Sequence, residues 1–298
     1  MAVYLIGIDG GGSKTDFILC DLALNEVARH FSGRSNPNDV PPDEAVAVVT
    51  DGVTALLRSA RADASEVSAC FAGIAGVTSG GFVSLFENAL SRLLPNAAVG
   101  VLHDGINVLY GAFPNADGVS VICGTGSSCF VRKDGAIYRI GGYGALDLCG
   151  SGYEIGRAAL AHALKAFDGR EERGALYEAV CERYGNDPVG SLEKLLSLTK
   201  TEIASLAPAV FDCAKRGDGH ARAIVNDNME YIARMIECAG KFFDGDYPVA
   251  LAGGIFREPL ALETLAGMVP KRALLTINRA SPVAGAAARA KQLLTEAE

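Results

Sequence analysis

In the first 115 residues, apolar residues occur either in short continuous runs or at helical spacing. The runs Val3–Asp9 and Asp16–Asp21 are apolar without strict alternation, which predicts two buried strands joined by a glycine turn. From Pro42 to about Arg61 apolar residues recur at helical spacing, which predicts a helix. Further predicted elements are strands at Val67–Ile74 and Val99–His103 and helices at Phe82–Leu94 and Gly105–Phe113. Strands that alternate with helices indicate a mainly parallel sheet with helical cover.

The same opening pattern returns after a short polar stretch at residues 114–118. From Tyr153 to Phe243 the chain is predicted to be almost wholly helical. We therefore expect two α/β domains, residues 1–115 and 116–298, with a helical insertion in the second and a terminal helix that packs back on the first. The elements predicted for the second domain are strands at Val119–Cys123, Ser128–Arg132, Ala136–Ile140, Val249–Ala252 and Ala273–Ile277, and helices up to Met268 and at Pro282–Leu294.

Composition and charge limit the possible partners. The chain has 298 residues, of which 49% are hydrophobic, and can form two cores. Its formal net charge of -8 argues against nucleic acid or an anionic membrane as the main partner, because most of the surface would repel either polyanion. Any anionic ligand must therefore be bound locally, by backbone N–H groups or by a metal.

No targeting, membrane-spanning or disulfide-forming segment is predicted. Met1–Ile8 has no basic flank and leads directly into Asp9 and three glycines, as a strand does before a turn. No apolar run reaches the roughly 18–20 residues needed to span a bilayer. The eight cysteines form no CxxC pair and there are four histidines, so neither a zinc site nor a disulfide framework is expected, and a reducing cytoplasm fits best.

Three glycine-rich turns are candidate phosphate or nucleotide sites. A Walker A loop needs Gly immediately before Lys and a helix after it, whereas here Ser13 precedes Lys14 and a strand follows. The turn instead joins two strands and can offer backbone N–H groups to an anion, although a plain glycine hairpin is the alternative. The candidate binding residues are Gly10, Gly11, Gly12, Ser13, Lys14 and Thr15 in the first turn, Gly124, Thr125, Gly126 and Ser127 in the second, and Gly253 and Gly254 in the third.

With these turns in this order, the chain resembles the superfamily of actin, hexokinase and the heat-shock ATPases. Within it, the chain is similar to the branch of N-acetylglucosamine kinases and BadF/BadG/BcrA/BcrD-type ATPases. The resemblance rests on Ile6–Asp21, Cys123–Ser128 and Leu251–Phe256, with support from Phe71–Gly76 and Gly150–Gly156. It implies a two-domain, ribonuclease H-like actin fold with an ATP cleft between the domains, ATP and Mg²⁺ as cofactors, and a small sugar as substrate.

Two aspartates are candidates for the chemistry of phosphoryl transfer. Asp9 ends the first strand beside the glycine turn and could hold Mg²⁺, or it could simply cap the turn. Asp104 follows a strand and opens a helix, and the resemblance implies that it accepts the proton of the sugar hydroxyl. A helix N-cap is the alternative role for Asp104, and the two roles are compatible. His103 is expected to be structural, because neighbouring residues on a strand point to opposite faces.

The resemblance also implies three sugar contacts, at Asn36, Tyr143 and Asp147, in addition to Asp104. Asn36 precedes Pro37 and could equally belong to an ordinary turn. Tyr143 could pack on a sugar ring or fill core. Similar kinases carry Gly-Asp-Glu before Gly-Ser, whereas this chain reads Leu146-Asp147-Leu148-Cys149 before Gly150-Ser151, one residue shorter. Asp147 is expected to replace the carboxylate, and if it points elsewhere the N-acetylglucosamine specificity is in doubt.

The leading hypothesis is an ATP-dependent kinase of N-acetylglucosamine or glucosamine. A homodimer is one oligomeric state that the sequence leaves open. One alternative is an ATP-driven activator of 2-hydroxyacyl-CoA dehydratases, which would need an iron–sulfur cluster between subunits. Cys123, Cys129 and Cys149 are loosely grouped, but the first two lie in strand-like apolar surroundings typical of core cysteines. A second alternative is a sugar-sensing protein of the same fold without turnover.

Overall fold

The computed structural model describes residues 3–187 and 189–296, with the backbone alone at residue 145. The chain forms two units, Met1–Ala116 with Asn278–Glu298, and Asp117–Ile277. In the described residues the strands are β1 Tyr4–Gly10, β2 Thr15–Asp21, β3 Glu26–Ser32, β4 Val67–Ile74, β5 Ala98–Leu102, β6 Gly118–Cys123, β7 Ser127–Lys133, β8 Ala136–Ile140, β9 Tyr247–Ala252 and β10 Ala273–Ile277. The α-helices are α1 Pro42–Ala60, α2 Phe82–Leu93, α3 Gly105–Ala112, α4 Gly152–Phe167, α5 Ala175–Tyr184, α6 Leu192–Leu196, α7 Lys200–Ala204, α8 Ala207–Lys215, α9 Gly219–Ala239, α10 Pro259–Ala266 and α11 Pro282–Glu296.

The two units contain five-stranded sheets of the same strand order. Unit 1 has the order β3-β2-β1-β4-β5 and unit 2 the equivalent order β8-β7-β6-β9-β10. In each sheet the first three strands in sequence are antiparallel neighbours. The fourth strand, β4 or β9, pairs parallel to β1 or β6, and the last strand, β5 or β10, pairs parallel to the fourth. The turn after the central strand, β1 or β6, therefore lies at the carboxyl end of that strand in both units. The expectation of an α/β protein whose second domain begins like the first is confirmed.

Helix α1 shows how the helical cover of unit 1 is specified. Ala45, Val49, Val53 and Leu56 recur every three or four residues and are fully buried against the sheet. Each buried Val or Leu side chain contributes about 1.5–3 kcal/mol. The glycine at position 52 lets the ring of Phe17 approach, since a Cβ there would lie 2.3 Å from its Cζ atom.

The terminal helix α11 completes unit 1. It packs on β1, β4 and α3 through Val283, Ala286, Ala287 and Ala290. Small residues make this crossing unusually close: a Cβ on Gly7 would lie 2.5 Å from the backbone nitrogen of Ala287. Residues of the last helix are therefore part of the core of unit 1, although they come from the other end of the chain.

Three sequence expectations differ from the structure. Glu26–Ser32 forms the edge strand β3, which the sequence pattern does not predict because its residues are exposed or half-buried throughout. The helix expected up to Met268 is divided into a 3₁₀ helix, Gly254–Arg257, and α10, because Pro259 has no N–H and opens a new helix. Residues 278–298, which we assign to the second domain from the sequence, belong to unit 1.

No helix in the described part of the chain is long and apolar enough to cross a membrane.

Candidate functional site

Asp9 lies at the end of β1 and is held by a side chain from α3. The amide Nδ2 of Asn107 donates to Asp9 Oδ1 at 2.7 Å and to the carbonyl of Ile8 at 3.3 Å. Asn107 is fully buried and packs against Gly73, where a Cβ would lie 2.2 Å from its Oδ1 atom. The strand end, the neighbouring strand and α3 together therefore fix the position of this carboxylate.

The electrostatic surroundings of Asp9 oppose its ionisation. The pKa of Asp9 is raised from 3.8 to about 6, chiefly by burial. The Asn107 amide and Lys14 act to lower this pKa, and the nearby Asp104 and Asp16 act to raise it. Asp16 itself is neutralised by Arg29, whose guanidinium bonds both carboxylate oxygens at 3.0 and 2.6 Å. A cation beside Asp9 would favour its ionised form.

Asp104 follows β5 and caps α3. Its Oδ1 accepts the N–H of Gly105 at 2.9 Å and lies 2.8 Å from His103 Nδ1. The expectation that His103 points away from Asp104 is wrong, because β5 ends at Leu102 and strand alternation does not extend to either residue. The Asp104 side chain remains 35% exposed, so the capping contact still leaves it accessible to a ligand.

The β1–β2 turn exposes most of its candidate phosphate contacts. Gly12, Ser13 and Lys14 are exposed, and the N–H of Gly11 donates to the Lys14 carbonyl at 3.0 Å. The ammonium of Lys14 lies 5.0 Å from the centre of the Phe31 ring, so its present contact is a cation–π interaction with β3. Gly10 and Thr15, by contrast, are buried and close the hairpin.

The loop after β3 is tied to this turn. The hydroxyl of Thr15 donates to Ser35 Oγ at 2.8 Å, and the Ser35 N–H donates to the Gly11 carbonyl at 3.1 Å. In the same loop, Asn36 Nδ2 donates to Asp39 Oδ2 at 2.7 Å while Asn36 Oδ1 accepts the N–H of Asn38 at 3.0 Å. Both ends of the Asn36 amide thus make turn contacts, so sugar binding would have to share or replace them.

In unit 2 the β6–β7 turn contacts the start of α4. The N–H of Gly152 donates to the Gly124 carbonyl at 2.8 Å, and the N–H of Tyr153 donates to the Thr125 carbonyl at 3.2 Å. A Cβ on Gly124 or Gly126 would meet no atom within 4 Å, which leaves open space above both glycines. Ser127 is buried and donates its hydroxyl to the Cys149 carbonyl at 2.6 Å, so its side chain serves the local structure.

The third glycine pair lies directly beside that turn. Gly253 has a φ of +104°, and a Cβ there would lie 2.2 Å from the Cys123 carbonyl oxygen, so only glycine lets β9 end against the end of β6. Gly254 begins the 3₁₀ helix and faces open space. Two glycine motifs more than a hundred residues apart in sequence are thereby brought together in unit 2.

A pocket of about 320 Å³ joins these two motifs. Its floor includes Gly124, Thr125 and Gly254, and the helical insertion supplies apolar walls such as Pro208 and Phe211. Glu258 also lines it and is paired with Lys215 at 2.9 Å. The pocket is mostly apolar with a few polar residues, which suits a flat heteroaromatic ring joined to a polar chain.

The two other sugar-contact candidates, Tyr143 and Asp147, lie in the segment after β8. Tyr143 is 60% exposed, and the guanidinium of Arg139 lies 5.3 Å from its ring centre, so the core-filling alternative does not apply. Asp147 Oδ1 accepts the hydroxyl of Tyr231 on α9. Burial raises the pKa of the Tyr231 hydroxyl, and the hydrogen bond to Asp147 raises it further. Asp147 is only half-buried, so it can still contact a ligand beside Tyr231.

The cysteines named for a cluster occupy different environments. Cys123 and Cys129 are fully buried, and burial raises the pKa of both thiols well above the ordinary value. Thiolates are the ligand form in iron–sulfur clusters, so these surroundings disfavour ligation. Cys149 is exposed, and burial of its thiol group still raises its pKa.

Several residues of these sites are not singled out by the sequence alone. Asn107 is an internal residue of an apolar helix, and its only signal is a polar side chain on a buried face. Tyr231 lies 84 residues from Asp147 in the chain. The helical pocket wall, Thr201 to Phe211, carries no motif. Contacts formed between segments far apart in sequence leave no local spacing to recognise.

Comparison with known proteins gives a consistent family. A sequence model of the BadF/BadG/BcrA/BcrD ATPase family matches residues 6–288. An N-acetylmuramic acid/N-acetylglucosamine kinase of Clostridium acetobutylicum is 33% identical over 230 residues, which cover 75% of this chain and 75% of that protein. An N-acetyl-D-glucosamine kinase of Dictyostelium discoideum is 32% identical over 269 residues, which cover 84% of each.

A solved structure gives the same result for the fold. A candidate N-acetylglucosamine kinase from Chromobacterium violaceum superposes with a TM-score of 0.78 at 26% identity, covering 98% of this chain and 99% of that one. The likeness thus extends over both units, and the expectation of a two-domain, actin-like α/β fold is confirmed.

Proposed function

Because the chain belongs to the BadF/BadG/BcrA/BcrD ATPase family, we propose that it is an ATP-dependent sugar kinase acting on N-acetylglucosamine or a closely related amino sugar. The two curated relatives named above are kinases of this sugar class. The observation that carries the proposal is the pocket of unit 2, in which the β6–β7 turn and Gly254 line one mostly apolar cavity.

The adenosine moiety of ATP fits this pocket. Its volume of about 320 Å³ lies in the range of small-molecule sites, and Pro208 and Phe211 offer apolar surface to an adenine ring. Gly254 permits close approach of the ring to the backbone. Gly124, Thr125 and Gly126, in the turn, are assigned to the phosphate end of the nucleotide.

The β1–β2 turn is assigned to the terminal phosphates. Gly12 and Ser13 can present N–H groups or a hydroxyl, and Lys14 can leave the Phe31 ring to neutralise phosphate charge, whereas the Gly11 N–H already donates to the Lys14 carbonyl. Gly10 and Thr15 hold the hairpin closed, so their contribution is to fix its shape. The contrast between the exposed residues and the buried Gly10 and Thr15 supports phosphate binding by the exposed tip of the turn.

Asp9 is assigned to Mg²⁺. A half-buried carboxylate with one amide donor and a raised pKa fits a divalent cation, because the cation's charge offsets the cost of ionising the carboxyl group. When bound, the ion would neutralise charge on the phosphate oxygens. Asn107 keeps the carboxylate in one orientation.

Asp104 is assigned to the proton transfer. The sugar hydroxyl oxygen forms a bond to the γ-phosphorus as the bond from that phosphorus to the bridging oxygen of ADP breaks, and the hydroxyl proton passes to the Asp104 carboxylate. The Gly105 N–H and His103 orient the carboxylate from one side. Asn36, Tyr143 and Asp147 are assigned to the sugar, with Tyr231 holding Asp147 in place.

The eight free cysteines support a reducing, cytoplasmic location. A homodimer stays a prediction.

The test is coupled ADP release with a panel of hexoses and amino sugars. The parent chain should show turnover that depends on N-acetylglucosamine or glucosamine, and Asp104→Asn should lower kcat by about 10²–10⁴, because the general base is removed while Asn still caps α3. Asp51→Asn, an exposed aspartate on α1, is the matched control and should keep parental turnover.

Two results would contradict the proposal. Sugar binding by calorimetry without any ADP release would indicate a sensing protein. ATP hydrolysis that no sugar stimulates, in an anaerobic preparation that contains iron, would indicate a dehydratase activator.

A further inference from the structure

A group of metal-ligating side chains lies in unit 2 among residues with no role above. His162 is on α4, Glu171 is in the connection between α4 and α5, and His220 is the second residue of α9. One ligand atom from each residue lies within 4.8 Å of the other two. Three separate segments therefore converge on one point.

The distances are close to those of a metal site. His162 Nδ1 lies 2.5 Å and His220 Nδ1 lies 3.9 Å from the same oxygen, Glu171 Oε2. Two ligand atoms bound to tetrahedral zinc at about 2.1 Å are about 3.4 Å apart. One separation must open and the other close by less than about 1 Å, which side-chain rotation can supply.

One ligand is fixed and the other two can adjust. The His162 side chain is only 4% exposed, and its ring lies 4.2 Å from the His220 ring, centre to centre. The side chains of Glu171 and His220 are 25% and 44% exposed. A buried imidazole with two partly exposed partners is an arrangement that an ion can organise by side-chain rotation.

The neighbouring charges permit a cation. Lys165 contacts Glu171 through the other carboxylate oxygen, Oε1, at 2.9 Å, and at 45% exposure it can turn to solvent. Asp218, the N-cap of α9, lies close enough to His162 to interact with it electrostatically. Two carboxylates thus surround two imidazoles that bind metals in their neutral form.

An entry path is present. All three residues line a pocket of about 350 Å³, together with Asp227 on α9. The pocket gives a hydrated ion access to the cluster and leaves room for water as a further ligand. This pocket shares no residue with the pocket assigned to adenosine.

We propose that His162, Glu171 and His220 bind a transition-metal dication, with Zn²⁺ the ion that suits two imidazoles and one carboxylate. The bound ion links α4, the α4–α5 connection and the start of α9. This departs from our expectation of no zinc site, which rests on the cysteine pattern and the number of histidines. Positions 162, 171 and 220 have no recognisable metal-ligand spacing.

The experiment uses the full chain without a polyhistidine tag, stripped with a chelator and freed of it by gel filtration. Titration with zinc chloride alone, followed by calorimetry and by metal analysis, should give about one zinc per chain. His220→Gln and Glu171→Gln should each weaken zinc binding at least tenfold (about 1.4 kcal/mol), because each removes a ligand from a partly exposed position where the fold does not depend on it.

His30→Gln is the matched control and should bind zinc like the parent, since His30 lies on β3 in unit 1. Circular dichroism checks that each variant is folded. A parent chain that binds no zinc, or a His220→Gln variant with parental affinity, overturns the proposal and leaves His162 and Glu171 as an ordinary hydrogen-bonded pair. Equal loss of affinity in His30→Gln overturns it as well.

Discussion

Asp9 shows how a single half-buried carboxyl group connects stability with chemistry. The fold holds it at a strand end where ionisation is opposed by burial and by two other aspartates. The unit's packing does not require a charge at that point, since the Asn107 amide can donate to an amide oxygen as well as to a carboxylate. The free-energy cost of ionising Asp9 is therefore explained by its proposed role in binding a cation.

Asp9→Asn should make the folded chain more stable at neutral pH and inactive. The carboxyl pKa is higher in the folded chain, at about 6, than the ordinary 3.8, so the folded state binds more protons between these values. Stability relative to the unfolded chain is then greatest below pH 3.8 and is lost as the pH rises through 6. The variant lacks this loss, which amounts to at most about 3 kcal/mol.

The measurement is urea unfolding of both proteins between pH 5 and 7. The difference in unfolding free energy should grow with pH and level off above 6, and the magnesium dependence of nucleotide binding should disappear in the variant. A difference that does not change with pH would show that Asp9 is not the titrating group.

At this scale the sequence predicts positions better than contacts. Asp9 and Asp104 are recognisable because they directly follow apolar strands, and carboxyl ends of strands are where ligands bind in open α/β sheets. Contacts depend on neighbours that only the folded chain brings together. Examples are the hydrogen bond between Asp147 and Tyr231 and the turn contacts made by both ends of the Asn36 amide.

At the scale of elements, the crossing of α11 with α3 depends on two glycines. A Cβ on Gly285 would lie 1.9 Å from the Asn107 carbonyl oxygen and 2.6 Å from the Gly111 nitrogen, both backbone atoms. Backbone cannot move aside as a flexible side chain can. This crossing also sets the position of Asn107, and through it that of Asp9.

Gly285→Ala should therefore destabilise the protein by about 1–3 kcal/mol or more, although alanine is ordinarily favoured over glycine in a helix. Gly219→Ala, at the start of α9, is the control: a Cβ there meets no atom within 4 Å, so a neutral or slightly stabilising effect is expected. Thermal unfolding of the two variants beside the parent decides between them. Equal melting temperatures would mean that the helices separate at little cost.

The elements themselves follow from the sequence to different degrees. Buried strands such as β4 and amphipathic helices such as α1 are predicted with nearly their observed bounds, because burial of a whole strand or of one helix face leaves a regular apolar pattern in the sequence. Strand β3 is held by hydrogen bonds to β2 at the sheet edge, and its side chains are exposed or half-buried with no apolar face, so its pattern resembles that of a loop.

At the scale of the whole molecule, the two units differ in continuity. Unit 2 is one uninterrupted stretch, whereas unit 1 needs residues from both ends of the chain. Residues 117–277 expressed alone should unfold cooperatively on heating, because their core, sheet and adenosine pocket are all contained within them. Adenosine nucleotide binding by this fragment, measured by calorimetry, is expected to persist in weakened form.

Residues 1–116 alone should fail to form a stable unit, since the face of β1 at Gly7 loses the helix that covers it. Joining residues 278–296 to them through a flexible linker should restore a cooperative transition in circular dichroism. If residues 1–116 alone already unfolded cooperatively, α11 would be dispensable for the core of unit 1.

The discontinuity of unit 1 also orders events during biosynthesis. About 160 residues separate its two parts, and a ribosome that adds roughly 5–20 residues per second needs on the order of 10–30 s to reach the second part. During that interval the nascent β1–β2–β4 sheet carries an uncovered apolar face while unit 2 is still emerging. We expect chaperones to bind such a chain, because its apolar face is exposed during synthesis. A stop codon before position 282 would release a polypeptide that cannot complete its first domain.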